Sequence, residues 1–264
     1  MKLDRLKFET TTEALIMYDK TLFDTKIQVD SSTGAENYRF KTLKPDIAKK
    51  LLGVNEITIK EHSGKVVVDL TGKILQKNYP ELIDYTNFST AIKNLNNYGV
   101  AVFDEEKLWN AKPFIVHSTE DLHMKHEPTM YTDYLYSLCN SLLKGYDVRK
   151  YRNGVTIGKK SKGLPYIKLY GKHHELMCRK AANIKLLSHL TEQQVNEFKD
   201  VLRIEAELDS LKFIRDYTFE ADVVDGEIVN GETVGGVLFS LRSPVKEILN
   251  KIIDETGIKN YEVA

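Results

Sequence analysis

"GVTIGKKSKGLPYIKLYGKHHEL", residues 154–176, decides the fold. A short β-branched run at 155–158 and a second run at 165–171 flank "KKSKGL", a polar, glycine-containing stretch suited to a hairpin loop. Side chains on a strand alternate between faces. The second run therefore sets Tyr166, Lys168, Tyr170 and Lys172 on one face and Ile167 and Leu169 on the other. An exposed strand face already accounts for such a row, because Tyr is a favourable strand residue. Chemistry enters only if neighbouring strands set reactive groups beside it.

Two further segments alternate in the same way. In "VLRIEAELDS" (201–210), Leu202, Ile204, Ala206 and Leu208 face one way, and Arg203, Glu205 and Glu207 the other. In "KPFIVHSTEDLHM" (112–124), Asp121 and His123 share a face, and the proline falls at the start, where a missing N–H is tolerated. "ENYRFKT" (36–42) reads as a strand, and "NEITIKEHSGKVVVDLTG" (55–72) as two arms joined at His62-Ser63-Gly64. Helical spacing predicts "NFSTAIKNLNNYG" (87–99), capped by Ser89 or Thr90 and stopped by Gly99. A second helix is predicted over 129–143, with Tyr131, Leu135, Leu138 and Leu142 along one stripe. One helix is predicted through "HHELMCRKAANIKLLSHL" (173–190). Another follows Thr191, with Gln194 at the capping-box position. A glycine-rich hairpin at 223–236 and a terminal helix near Pro244 complete the chain. With no linker, repeat or low-complexity segment, residues 1–264 read as a single α+β domain. Its central, mostly antiparallel sheet is flanked by helices.

Lys plus Arg balance Asp plus Glu at 38 each, so net charge announces no nucleic-acid partner. The distribution does. Residues 149–180 hold ten basic side chains, Lys159, Lys160, Lys162 and Lys168 among them, against the single acid Glu175. A local excess of this kind can hold a phosphate backbone on an otherwise neutral protein. The sequence has no CxxC, Walker loop or GxGxxG, which leaves zinc-ribbon, NTPase and dinucleotide readings unsupported. No run of about 18 apolar residues suggests a membrane span. Cys139 and Cys178, both in segments read as helical, are expected to be free thiols in a reducing cytoplasm.

Asp121, His123 and Glu205 make a carboxylate–imidazole–carboxylate set of the kind that suits Mg²⁺ or Mn²⁺, with Glu120 competing with Asp121 for the ligand register. Tyr170 beside such a cation suits phosphodiester chemistry, and a nearby ammonium such as Lys172 would favour its phenolate. Tyr166, four residues away on the same face, competes for the nucleophile's role or stacks on a base. Arg203–Glu205 reads equally as a surface ion pair. His117, His173 and His174 are weaker candidates as ligands, and Trp109 is assigned to the core.

"GKKSKGLPYIKLYGKHHEL" followed by "LRIEAEL" resembles the rolling-circle replication initiators of staphylococcal plasmids and filamentous phages. Those have a glycine-serine hairpin, a tyrosine strand and an Arg-x-Glu strand in this order. "DLTGKILQKNYPELIDYTNFSTAIKNL" and "HSTEDLHM" are similar to upstream segments of the phage type, so the resemblance spans about residues 56–215. It implies a Rep-like tyrosine nickase of bacterial-host cytoplasm, with Tyr170 as nucleophile and Lys172 as its companion. Asp121 and Glu205 would be metal ligands, and His123 joins them by geometry. Lys159, Lys160, Lys162, Tyr166, Lys168 and Arg203 would contact origin DNA. A host helicase and polymerase are the expected partners. Thr119 stands where the family's upstream strand has Arg, and the family's usual His-hydrophobic-His metal pair does not occur.

Overall fold

The computed structural model describes residues 1–29, 36–158, 163–218, 221–224, 227–229, 232–240 and 242–257. Strands β1 (Leu3–Thr11), β2 (Leu15–Tyr18), β3 (Phe23–Val29) and β4 (Glu36–Leu43) precede a short helix α1 (Pro45–Ala48). The hairpin β5 (Val54–Lys60) and β6 (Lys65–Thr71) leads through a 3₁₀ stretch, Gly72–Glu81, into α2 (Phe88–Asn97). Next come β7 (Ala101–Phe103), α3 (Glu105–Trp109), β8 (Lys112–His123) and α4 (Pro128–Leu142). A second meander, β9 (Asp147–Tyr151), β10 (Gly154–Gly158) and β11 (Tyr166–Gly171), runs directly into α5 (Lys172–Met177). Helices α6 (Ala181–Leu187) and α7 (Glu192–Glu197) return the chain to β12 (Val201–Leu208). The remainder is α8 (Leu211–Tyr217), β13 (Ala221–Val224), β14 (Glu227–Val229), α9 (Val234–Phe239) and α10 (Pro244–Glu255).

Ten strands form one sheet in the order β3-β4-β5-β6-β1-β8-β12-β11-β10-β9, and every pairing in it is antiparallel. The α+β class with a mostly antiparallel sheet and flanking helices thus holds. Alternation sorts the side chains. Leu6, Phe8, Ile57, Ile59, Val66, Val68, Val116, Ile167, Leu169, Ile204 and Ala206 lie in one buried core with residues of α2, α8 and α10. Trp109 packs edge-on against Phe88 at its margin, as assigned. The opposite face is polar. At one end a second, smaller core of Leu52, Tyr79, Leu82, Leu176, Leu186, Phe198 and Val201 lies over it, with Tyr79 and Leu82 from the 72–82 segment, Leu176 from α5 and Leu186 from α6.

Most expected elements are found, with physical reasons where they differ. The β5–β6 turn closes on Gly64 at φ +63, a left-handed conformation in which glycine carries no Cβ penalty. Thr191 and Gln194 form the anticipated capping box. The N-cap of helix α2 is Asn87 rather than Ser89 or Thr90, and the Asn87 side chain is committed to the preceding turn. Its amide donates to the Leu82 carbonyl at 2.6 Å, and its side-chain oxygen accepts from the Asp84 N–H at 3.0 Å. The helix expected through 173–190 is two, α5 and α6. Extended Cys178 and Lys180 break it, and buried Asn183 donates to the Glu175 carbonyl at 2.6 Å across the break. Cys178 is therefore an exposed cap residue, whereas Cys139 is buried in α4; both are free thiols. Among the described residues no helix is long and apolar enough to cross a membrane.

Candidate active site

Backbone register assembles the site. Tyr166, Lys168 and Tyr170 of β11 stand opposite Glu207, Glu205 and Arg203 of β12. Those three in turn oppose His117, Thr119 and Asp121 of β8. Directly paired residues of antiparallel strands point to the same side, so all nine belong to the polar face. Gly154 of β10 is opposite Tyr170, and a Cβ there would fall 2.5 Å from the Leu169 carbonyl oxygen and 2.6 Å from the Tyr170 Cβ. The close approach of the two strands at the tyrosine requires glycine.

The Tyr170 hydroxyl donates a short hydrogen bond to Glu205 Oε1. The other carboxylate oxygen lies 3.7 Å from His117 Nδ1, and His117 Nε2 lies 3.8 Å from Glu207 Oε1. Lys168 closes the row by pairing with Glu207. Glu205 and His117 are buried while Lys168 remains partly exposed, so a continuous polar chain leads from the phenol towards solvent.

Arg203 anchors the neighbouring end. Its side chain is fully buried, and Nε and Nη2 each donate to a different oxygen of Asp121 at 2.7 Å. Nη1 donates to the Tyr79 hydroxyl at 3.0 Å and to Asp4 at 3.2 Å. Lys172 does not extend the strand as expected; it opens α5, with Gly171 as the capping residue. It nonetheless stays beside Tyr170. Its ammonium lies 5.6 Å from the Tyr170 ring centroid, 5.0 Å from that of Tyr79, and 2.7 Å from Glu175.

These surroundings set the protonation states. Burial, then the Glu205 charge, push the Tyr170 phenol well above its ordinary value, and the positive Arg203 only partly opposes them. The resting nucleophile candidate is a neutral phenol, contrary to the expectation that a nearby ammonium favours the phenolate. Burial would also raise Glu205. The His117 ring 3.7 Å away, followed by the Tyr170 hydrogen bond and the Arg203 charge, outweighs that effect and holds the carboxyl at about 2. Glu175 behaves likewise: Lys172 and Lys73 overcome burial and hold it at about 2.

The structure separates some expected site residues. Asp121 is committed to Arg203 through both oxygens, Glu205 to Tyr170 and His117, and His123 sits exposed at the end of β8 opposite Val201. Among the described residues no three His, Cys, Asp or Glu side chains are gathered to hold a metal ion. Asp121, His123 and Glu205 are therefore not brought together as one ligand set. Glu120, Asp121 and His123 instead line a cavity of about 500 Å³ with Glu197, Phe198 and Lys2. Arg203 is inaccessible to DNA as placed. Tyr166 donates to Asp147 at 3.3 Å and is partly buried. Lys159, Lys160 and Lys162 lie outside the described residues.

Sequence reasoning missed Tyr79 and Asp4. Alternation from Leu6 and Phe8 would put Asp4 in the apolar core, but the β1–β8 register shifts between Leu3 and Arg5. That bulge turns Asp4 to the Arg203 side. Tyr79 lies in a stretch with left-handed backbone at the non-glycine residues Gln76 (φ +55) and, just beyond, Leu82 (φ +58). No periodicity reports such a path.

No family model, curated protein or solved structure matches this chain.

Proposed function

We propose that the protein is a DNA-nicking initiator of rolling-circle replication for a phage or plasmid, acting through Tyr170 on one strand of its origin. The observation that carries this reading is the Tyr170–Glu205 hydrogen bond. It lies at the base of a polar sheet face, with the Lys172 ammonium over the phenol ring. In the proposed step the Tyr170 oxygen attacks phosphorus while its proton passes to Glu205. The bond from phosphorus to the 3′ oxygen breaks, and that oxygen takes up a proton as the 3′-hydroxyl that primes a host polymerase. A 5′-phosphotyrosine link retains the ester's energy for a second transesterification. Because the resting phenol is neutral, the nucleophile forms during attack rather than standing ready as phenolate.

A Mg²⁺ or Mn²⁺ requirement comes with the resemblance. The donors as arranged do not fit such an ion, since Arg203 occupies both oxygens of Asp121 and His123 is remote from Glu205. The chemistry above is accordingly written for the chain's own groups. The rival reading, a noncatalytic DNA-binding replication or regulatory protein, draws support from the same neutral phenol. A nuclease activating water would use neither Tyr170 nor a covalent intermediate. Supercoiled origin DNA incubated with the protein and Mg²⁺ or Mn²⁺ separates them. Nicking with a protein-blocked 5′ end supports the proposal, a free 5′ end supports the water nuclease, and intact DNA supports the binding protein.

A further inference from the structure

The polar face continues past the Tyr170 site to the opposite end of the sheet, and there it carries rings. Tyr38 and Phe40 alternate on β4, and Phe40 is directly opposite Lys60 of β5 and Lys26 of β3. Lys60 stands opposite Lys65, which with Glu9 belongs to the same face. The His62 ring from the β5–β6 turn lies 4.5 Å from the Tyr38 centroid and 5.2 Å from that of Phe40. Tyr38 and Phe40 are 6.3 Å apart. These rings fill no core: Tyr38 is 44% exposed and His62 is exposed.

Charge around them is positive. Lys60 and Lys65 both bind Glu9 at 2.7 Å, which leaves that trio one positive charge in excess, while Lys26 shares its strand face with Asp24. Glu61 is neutralised by Lys41 at 2.7 Å. Between this end and the Tyr170 site the face is ion-paired side by side, Arg5 with Asp69 at 2.6 Å and Lys7 with Glu56 at 2.7 Å. Exposed rings interleaved with surplus cations suit unpaired bases, whose π-faces stack and whose phosphates seek ammonium groups.

We propose that Tyr38, Phe40 and His62 form a stacking platform for single-stranded DNA, holding a strand that crosses the polar face from the Tyr170 site. The choice of DNA as ligand rests on the nicking reading; the platform itself does not. Six strand-to-strand steps separate β4 from β11, a path of roughly 29 Å at ~4.8 Å per step. A stacked strand covers it with roughly 9 nucleotides at ~3.4 Å each.

Fluorescein-labelled oligodeoxythymidylates of about 6 and about 18 nucleotides, below and above that span, test the platform by anisotropy at fixed salt. The wild type binds the long probe more tightly. Tyr38→Ala weakens the long probe by at least about fivefold, the loss of one stacked base at ~1 kcal/mol, and leaves the short probe unchanged. Tyr38→Trp, which preserves a ring, retains long-probe binding. Equal binding by the wild type and Tyr38→Ala at both lengths overturns the platform, as does failure of the wild type to bind either probe. Origin-adduct formation by the wild type, measured in parallel, keeps the two claims apart. Adduct with Tyr38-independent binding leaves nicking standing and removes the platform; Tyr38-dependent binding without adduct does the reverse.

Discussion

Replacing Asp121 by Ala distinguishes a structural carboxylate from a metal ligand. Arg203 has no exposed surface, and Asp121 takes two of its four side-chain hydrogen bonds, both at 2.7 Å. Losing that partner leaves a buried guanidinium with only Tyr79 and Asp4. Removing one member of a buried pair typically costs about 3–5 kcal/mol, mostly from the uncompensated charge left behind. Asp121 keeps 22% of its side-chain surface and Asp4 18%, so deleting the arginine instead lets both carboxylates recover water. The structure therefore predicts an asymmetry: Asp121→Ala destabilises by about 3 kcal/mol or more, and Arg203→Met by less. Urea unfolding of both variants followed by circular dichroism reads the two losses directly. A cost below about 1 kcal/mol for Asp121→Ala, in the range of a surface pair, would refute the structural role assigned to Asp121.

Other expectations follow from the same network. Glu205→Gln should still accept a hydrogen bond from Tyr170 but lose the charge that takes its proton, so adduct formation should fall by 10²-fold or more, the scale of a general base. Unchanged adduct yield on an origin oligonucleotide would remove Glu205 from catalysis. Glu205 and Glu175 are held at about 2 in the folded state against an ordinary 4.5. Because those values are depressed, the stability they confer is present above about 4.5 and is lost as pH falls towards 2, on the order of a few kcal/mol. Acid titration of unfolding free energy checks this, and a flat profile across the interval would contradict it. Gly154→Ala forces a Cβ to within 2.6 Å of the Tyr170 Cβ. It should cost about 1–3 kcal/mol and depress adduct formation; a wild-type melting profile would show the strand approach to be looser than described.

Legibility followed the regularity of the backbone. Strand β12 was readable in full, because Leu202, Ile204 and Ala206 alternate with Arg203 and Glu205 in the sequence as they do in the sheet. The β10–β11 hairpin was readable from its polar loop, the β-branched run before it and the alternating run after it. What alternation implied but could not reveal is that the polar row of β12 is buried. Its charges satisfy one another across three strands, and that pairing depends on register. The site's remaining parts sit where regularity fails. Asp4 joins through a bulge, Tyr79 through a left-handed detour, and Lys172 through a helix that starts one residue after the strand ends. The metal set shows a limit of the same kind. Asp121 and His123 do share a strand face, but Arg203 lies directly across from Asp121 and claims it.

The central claim is that Tyr170 becomes covalently joined to DNA. Reacting the protein with supercoiled origin DNA and Mn²⁺, digesting the product and sequencing the DNA-linked peptide by mass spectrometry tests it most directly. One modified peptide is expected, with the phosphodiester on Tyr170, lost in Tyr170→Phe. Linkage at Tyr166, or cleavage without linkage to any residue, would contradict it.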